Sequence, residues 1–243
     1  MTVVYPEVAR LGTILSVWAH PDDESWVAAG IMMAARANGQ RVVCVTATRG
    51  EQGVQDPQRW PQAELADIRE KEMQACLKIL DITEHHWLNY HDGECAQIPM
   101  TAAVAKLDAL IAAVQPDTIL TFGPDGLTGH DDHKAISAWV GQAVQKLPLA
   151  ERPTIYHHAA SLEWYEDLGK EWDAQFNIFF NIDTPRLVPL EQMDLCYELS
   201  EELITRKLEA LRVQPSQTEG MFTGIPQDEL HETAARETFT LAR

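Results

Sequence analysis

Two short stretches hold most of the residue types in this chain that could do chemistry. One is Ala19-His20-Pro21-Asp22-Asp23-Glu24 and the other is Gly129-His130-Asp131-Asp132-His133. Imidazole nitrogens and carboxylate oxygens together suit borderline divalent cations such as Zn²⁺. Two neutral histidines and one carboxylate would leave such an ion about one net positive charge and an open position for water. Adjacent aspartates point in different directions, so one can bind metal while the other faces the water. Water made acidic by a metal gives its proton to a carboxylate within hydrogen-bond reach. The resulting hydroxide attacks a carbonyl, and a nearby histidine stabilises the oxyanion or protonates a departing amine. Either stretch alone also reads as a solvated turn, because Pro and Asp are ordinary turn residues. The two together point to a metal site.

Such residues need a scaffold that brings them to one place, and the chain alternates β-rich runs with helical patterns. Residues 13–19 read as a buried strand, followed by a helix over about 25–37 that stops at Asn38-Gly39. A second strand over 41–47 leads through a loop with Gly50, Gly53 and Pro57 to a helix over about 63–80. A short third strand near 86–88 and a helix near 101–114 precede a fourth strand over 117–122 and a helix over about 132–145. Two further β-rich runs, 154–158 and 176–182, come before a long amphipathic helix over about 190–211. This alternation predicts a single α/β domain over 1–243, a Rossmann-like, mostly parallel sheet flanked by helices. Ligands in such sheets bind beyond the carboxyl ends of the strands. Both chemical stretches directly follow a strand, so both should reach that edge.

Composition narrows the partners. The 243 residues carry 19 Lys+Arg against 37 Asp+Glu, a formal charge of −18. A surface this acidic repels phosphate backbones and anionic headgroups, which argues against nucleic-acid and membrane binding and for a small-molecule substrate. No run of about 18 apolar residues offers a membrane span, and the first residues lack a signal-peptide pattern. Cys44, Cys76, Cys95 and Cys196 are scattered with no C-x-x-C pair, which predicts reduced thiols in a cytoplasmic protein. The oligomeric state is not legible, and a homo-oligomer is compatible with everything above.

Residues 19–24 and 129–133 together resemble the signature of the LmbE-like, or PIG-L, family of zinc-dependent N-deacetylases, with its A-H-P-D-D-E and later H-x-x-H elements. The resemblance implies that His20, Asp23 and His133 bind zinc and that Asp22 is the general base. It implies that His130 stabilises the tetrahedral intermediate or acts as acid, with Asp132 helping to hold it. Thr48-Arg49-Gly50-Glu51 looks like the family loop whose glutamate, here Glu51, approaches the sugar. Arg69 and Glu72 fit an R-x-x-E pattern whose arginine binds substrate, and Asp92 matches an aspartate that contacts the sugar. Lys207, Ala210, Leu211, Ser216 and Gln217 fit a K-x-x-A-L…S-Q element, so the likeness runs from about residue 12 to 217. Two positions depart: Gln214 stands where many members have histidine, and Thr128 where some thiol-pathway deacetylases have tyrosine. Both bear on the substrate and leave the metal set intact.

The implied activity is hydrolysis of an acetamide on an N-acetylglucosamine-type sugar, with Zn²⁺ as cofactor and Fe²⁺ also compatible with these ligands. On that reading His130 is expected to be cationic, or a good donor, when the oxyanion forms, with Asp131 and Asp132 favouring the imidazolium. Three other readings use the same residues: an amidase for larger acyl groups, a non-haem iron oxygenase, and a sugar-binding protein that keeps its metal for structure. His85, His86, His91, His157, His158 and His231 are expected to stay outside the ligand set, with His91 the nearest to the site. Trp18, Trp87 and Trp139 are expected in the core.

Overall fold

Runs such as Ile14-Leu15-Ser16-Val17-Trp18, apolar on both faces, are stable only as central strands covered from above and below. The computed structural model describes residues 5–183 and 185–242 and places them so. After α1 (Pro6–Ala9) come β1 (Ile14–Trp18), α2 (Asp23–Val27), α3 (Ala29–Ala37), β2 (Val42–Thr46), α4 (Gln62–Ile79) and β3 (Glu84–Trp87). Then follow α5 (Met100–Val114), β4 (Thr118–Phe122), α6 (Asp131–Gln145) and β5 (Thr154–His158). β1, β2 and β4 are buried at every residue.

The sheet runs in the order β3-β2-β1-β4-β5-β9-β8, with its first five strands parallel. Ile14 of β1 pairs with Val42 on one side and with Thr118 of β4 on the other. The chain therefore reverses its winding direction between β1 and β4, and a crevice opens beyond their carboxyl ends. The loops carrying the two chemical stretches leave those two strands. Trp18 and Phe122 close the floor beneath them, with ring centroids 4.9 Å apart, edge to face.

The second half departs from the sequence reading. β6 (Ala160–Ser161) leads into α7 (Leu162–Trp164), a π-helical stretch and α8 (Lys170–Phe176). Residues 176–182 are therefore the end of a helix and a turn, where Asn177 adopts φ +52°, and they contain no strand. β7 (Leu187–Val188) pairs with β6. The expected helix over 190–211 is only its second half, α9 (Glu201–Arg212), started by Ser200, whose side chain accepts from the Leu203 amide. Its first half contains β8 (Leu195–Glu198), alternately buried and exposed, which pairs antiparallel with β9 (Arg236–Leu241) after α10 (Pro215–Gly224) and α11 (Gln227–Ala234). The partner strand lies some 40 residues onward, so no local pattern reveals it.

The expected helix over 25–37 is likewise two helices, broken at Ala28 (φ −141°). The cause is distant. Glu237 of β9 accepts from the Gly30 and Ile31 amides, both at 2.8 Å, and so caps α3 from across the fold. Lys207 of α9 neutralises it at 2.8 Å, with side chains 1% and 0% exposed. Removing one member of a buried pair strands the other charge. Lys207→Met should therefore lower stability by about 3–5 kcal/mol, measured as the shift of the urea unfolding midpoint.

Candidate active site

At the end of β1 the backbone is held in an unusual shape. Asp22 takes φ +104°, a strained conformation for a residue with a side chain, immediately before α2. Asp23 Oδ2 accepts from the Ala19 and His20 amides at 3.2 and 2.8 Å, which folds the turn back on itself. The buried Glu24 carboxylate accepts from the Asp22 amide at 3.2 Å. At the end of β4, residues 123–129 form a loop with three consecutive or near-consecutive positive φ values, at Gly126, Leu127 and Gly129. α6 then begins at Asp131, with His130 as its cap.

The two turns meet. His20 Nδ1 and His133 Nε2 are 3.2 Å apart. Asp23 Oδ1 lies 3.5 Å from His133 Nε2, and Asp23 Oδ2 lies 3.7 Å from His20 Nδ1. The outer nitrogens are already engaged: His133 Nδ1 donates to the Gly126 carbonyl at 3.0 Å, and His20 Nε2 to Asp92 Oδ1 at 2.9 Å and Asp132 Oδ2 at 3.3 Å. The two inner lone pairs therefore face each other and need a proton or a cation between them. Ligand atoms about 2.05 Å from a tetrahedral cation stand about 3.3 Å apart. The donor set and its spacing thus fit a divalent ion of the zinc type. His130 also comes close, its ring nitrogen within 4.8 Å of those of His20 and His133, and His20, Asp92 and Asp132 form a second such group. The charges agree with the geometry. Burial works against a charged His20, but hydrogen bonds to Asp132 and Asp92 and the charge of Asp23 outweigh it and raise its pKa to about 10. This position demands a positive charge. Burial holds His133 at about 4 despite Asp23, the neutral form a ligand needs. Its ring stacks on Phe122 at 3.9 Å.

The carboxylates divide differently from the expected pattern. Asp132 turns its carboxylate away from His130 and gives it to His20 Nε2 and to the Gly93 and Cys95 amides, at 2.8 and 3.0 Å. Its backbone amide, not its side chain, meets His130, donating to Nδ1 at 3.1 Å. Asp92 is buried, with one oxygen on His20 and the other accepting from the Gln52 amide at 2.8 Å. The bond from His20 overcomes burial and holds both carboxyls below their usual range. His130 is not favoured as a cation. Burial, then the nearby His20 charge, lowers its pKa, and Asp131 is exposed beside Lys134. Burial pushes the Asp22 carboxyl up, against Arg69 and with Asp23 and Glu24.

Arg69 is 3% exposed. It donates to the carbonyls of Gly50 at 2.8 Å and Pro21 at 2.5 Å, and Nη2 lies 3.5 Å from Asp22 Oδ2. Glu51 Oε1 accepts from the Asp92 amide at 3.1 Å, while its buried Oε2 has no protein partner. Glu72 accepts from the Ser216 amide and hydroxyl at 2.9 and 2.5 Å, tying α4 to α10. Gln214 is buried and donates to Ser25 Oγ at 2.7 Å. His91 is 82% exposed and touches only Glu51, and His85 is spent on Thr46 at 3.0 Å. The sequence reading missed the Gly126 carbonyl and Phe180, whose ring centroid is 6.3 Å from that of His130. A glycine cluster after β4 signals the first, and nothing local signals the second.

A family model described as PIG-L, GlcNAc-PI de-N-acetylase, matches residues 15–144. The chain is 31% identical over 229 residues to a 1D-myo-inositol 2-acetamido-2-deoxy-alpha-D-glucopyranoside deacetylase of Actinosynnema mirum, covering 84% of this chain and 80% of that one. It is 29% identical over 210 residues to a probable N-acetyl-alpha-D-glucosaminyl L-malate deacetylase 2 of Bacillus cereus, covering 86% and 84%. The N,N'-diacetylchitobiose deacetylase of Pyrococcus horikoshii superposes with a TM-score of 0.66 at 22% identity, over 99% of this chain and 87% of that one, a likeness of fold.

Gly50 sits at φ +68°, and a methyl group there would come within 2.2 Å of Arg69 Nη1. Gly39, at φ +79°, has open space around it. Gly39→Ala should cost about 1 kcal/mol of conformational strain, and Gly50→Ala distinctly more, compared by thermal unfolding of both variants.

Proposed function

From the premise that the chain belongs to the PIG-L, GlcNAc-PI de-N-acetylase, family, we propose that it is a zinc-dependent hydrolase that removes the acetyl group from an N-acetylated amino sugar. One observation carries the reading: His20 Nδ1 and His133 Nε2, from turns more than a hundred residues apart, stand 3.2 Å apart, with one Asp23 oxygen 3.7 Å from the first and the other 3.5 Å from the second. The named activities of the two sequence relatives, each on an N-acetylated glucosamine unit, support the substrate class. The four free cysteines fit a reducing, cytoplasmic setting.

His20, Asp23 and His133 would hold the ion, which supplies a Lewis acid that acidifies water and polarises the acetyl oxygen. The protein's own groups do the rest. Asp22, adjacent to the ligand Asp23 and with its carboxyl pKa raised by burial, accepts a proton from water and delivers it to the departing amine. His130 works as a neutral donor. Its Nδ1 accepts from the Asp132 amide, so its proton sits on Nε2 and can be given as a hydrogen bond to the developing oxyanion. Asp92 and Asp132 both accept a hydrogen bond from the Nε2–H of His20, which fixes the tautomer and leaves Nδ1 as the nitrogen that would bind a metal. Arg69, closed off from solvent, holds the turn that presents Asp22 and acts on substrate through that turn. The unpartnered Glu51 Oε2 is the acceptor for a sugar hydroxyl.

Asp22→Asn should retain bound metal while acetate release falls about 10²–10⁴-fold, measured with N-acetylglucosamine glycosides; unchanged turnover removes Asp22 from the mechanism. His133→Ala should lose its metal on dialysis, read by elemental analysis, and full retention would reject the ligand set.

A further inference from the structure

Beside the catalytic centre lies a second cavity of about 570 Å³, lined in part by Trp60, Phe176, Ile178, Phe180 and Met221. Small-molecule sites span about 300–1,000 Å³, so this space far exceeds what an acetyl methyl fills. Two of its walls reach toward the centre. Phe180 stands edge-on to His130, with centroids 6.3 Å apart. At the other end Gln217 donates to the Gly53 carbonyl at 2.9 Å, in the loop that begins with Glu51 and runs on to Trp60. The apolar wall therefore adjoins the loop assigned above to the sugar on one side and His130 on the other. Phe180 is 58% exposed, one of few large apolar side chains left open among the described residues.

The charge of the lining is as informative as its shape. Among the described residues no lysine or arginine lines the cavity, and Asp56 and Glu219 do. Arg59, the nearby cation, is taken up by Glu219 and lies 4.4 Å over the Trp60 ring, bracing it from outside. An anionic group would find no free counter-charge there, only the Asp56 carboxylate and a Glu219 already paired with Arg59, whereas a flat apolar group would meet aromatic side chains. We infer that the sugar this enzyme deacetylates carries a neutral, apolar, ring-bearing aglycone, seated between Trp60 and Phe180. This rests on the deacetylase reading, and it sets the chain apart from a relative whose named substrate bears L-malate, a dicarboxylate.

The test uses the metal-loaded enzyme and the amine products, which cannot turn over. Phenyl, methyl and L-malyl glucosaminides, in both anomers, are titrated by calorimetry. The phenyl glycoside should bind about tenfold or more tighter than the methyl, the factor one well-placed aromatic contact supplies, and the malyl glycoside weakest. Phe180→Ala and Trp60→Ala should bring the phenyl-to-methyl ratio toward one, and Phe180→Tyr should keep it. Equal binding of all three glycosides, or a ratio indifferent to both alanine variants, overturns the inference. So does preferential release of a long N-acyl chain that the same variants abolish, because the cavity would then serve the acyl group. Kinetics separate the two readings. If phenyl glucosaminide binds tightly but the phenyl N-acetylglucosaminide releases no acetate, the cavity assignment stands and the deacetylase reading falls.

Discussion

Two imidazole nitrogens 3.2 Å apart, each with its outer nitrogen already hydrogen-bonded, create a demand for positive charge that the rest of the site is arranged around. Asp92 and Asp132 converge on one edge of His20, Asp23 on the other, and the Gly126 carbonyl fixes His133. These partners come from the chain following three different strands, β1, β3 and β4. The electrostatic demand is therefore also a constraint on chain path, because the segments after β1, β3 and β4 all have to deliver polar groups to within a few ångströms of these two rings.

Strand order is what meets that constraint. β1 and β4 pair side by side although a hundred residues separate them, so their carboxyl-end turns emerge as neighbours. The loop after β3 contributes Asp92, and the loop after β2 contributes Glu51 and the Gly50 carbonyl that Arg69 grips. Asp22 pays for its place with a φ of +104°, a strain sustained by Glu24 beneath its amide and by Arg69 on the preceding carbonyl. The same economy of long-range ties appears away from the site, where Glu237 caps α3 and Lys207 neutralises it.

Catalytic and recognition elements are thereby built from different kinds of structure. The turns carrying His20, Asp23 and His133, the proposed metal ligands, sit on the ends of buried parallel strands, where backbone position is over-determined. The apolar cavity beyond them is made from the loop after β2, the turn after α8 and the first turns of α10. A rigid centre with a separately built wall allows the attached group of the substrate to change without disturbing the chemistry.

Much of the first half was readable from residue order. Strands β1, β2 and β4 and helices α4, α5 and α6 lie within a residue or two of where apolar period and turn residues put them, because their signals are local: full burial in the strands and one apolar face in each helix. The second half was not. The run at 195–198 joined a sheet through a partner near 236–241, and the apolar segment around 178–180 served a cavity wall, not a strand. Among the chemical residues, sequence alone determined the types and the spacing: imidazoles and carboxylates following two strands, enough to name a divalent cation and a spare base. Only the tertiary structure decided which carboxylate serves which histidine. Asp132, two residues after His130 in its own motif, turned to His20 and left His130 its backbone amide. The reason is physical. Ligand chemistry is a property of a side chain and travels with the sequence, whereas a hydrogen-bond partner is chosen by whichever group the strand order brings within about 3 Å.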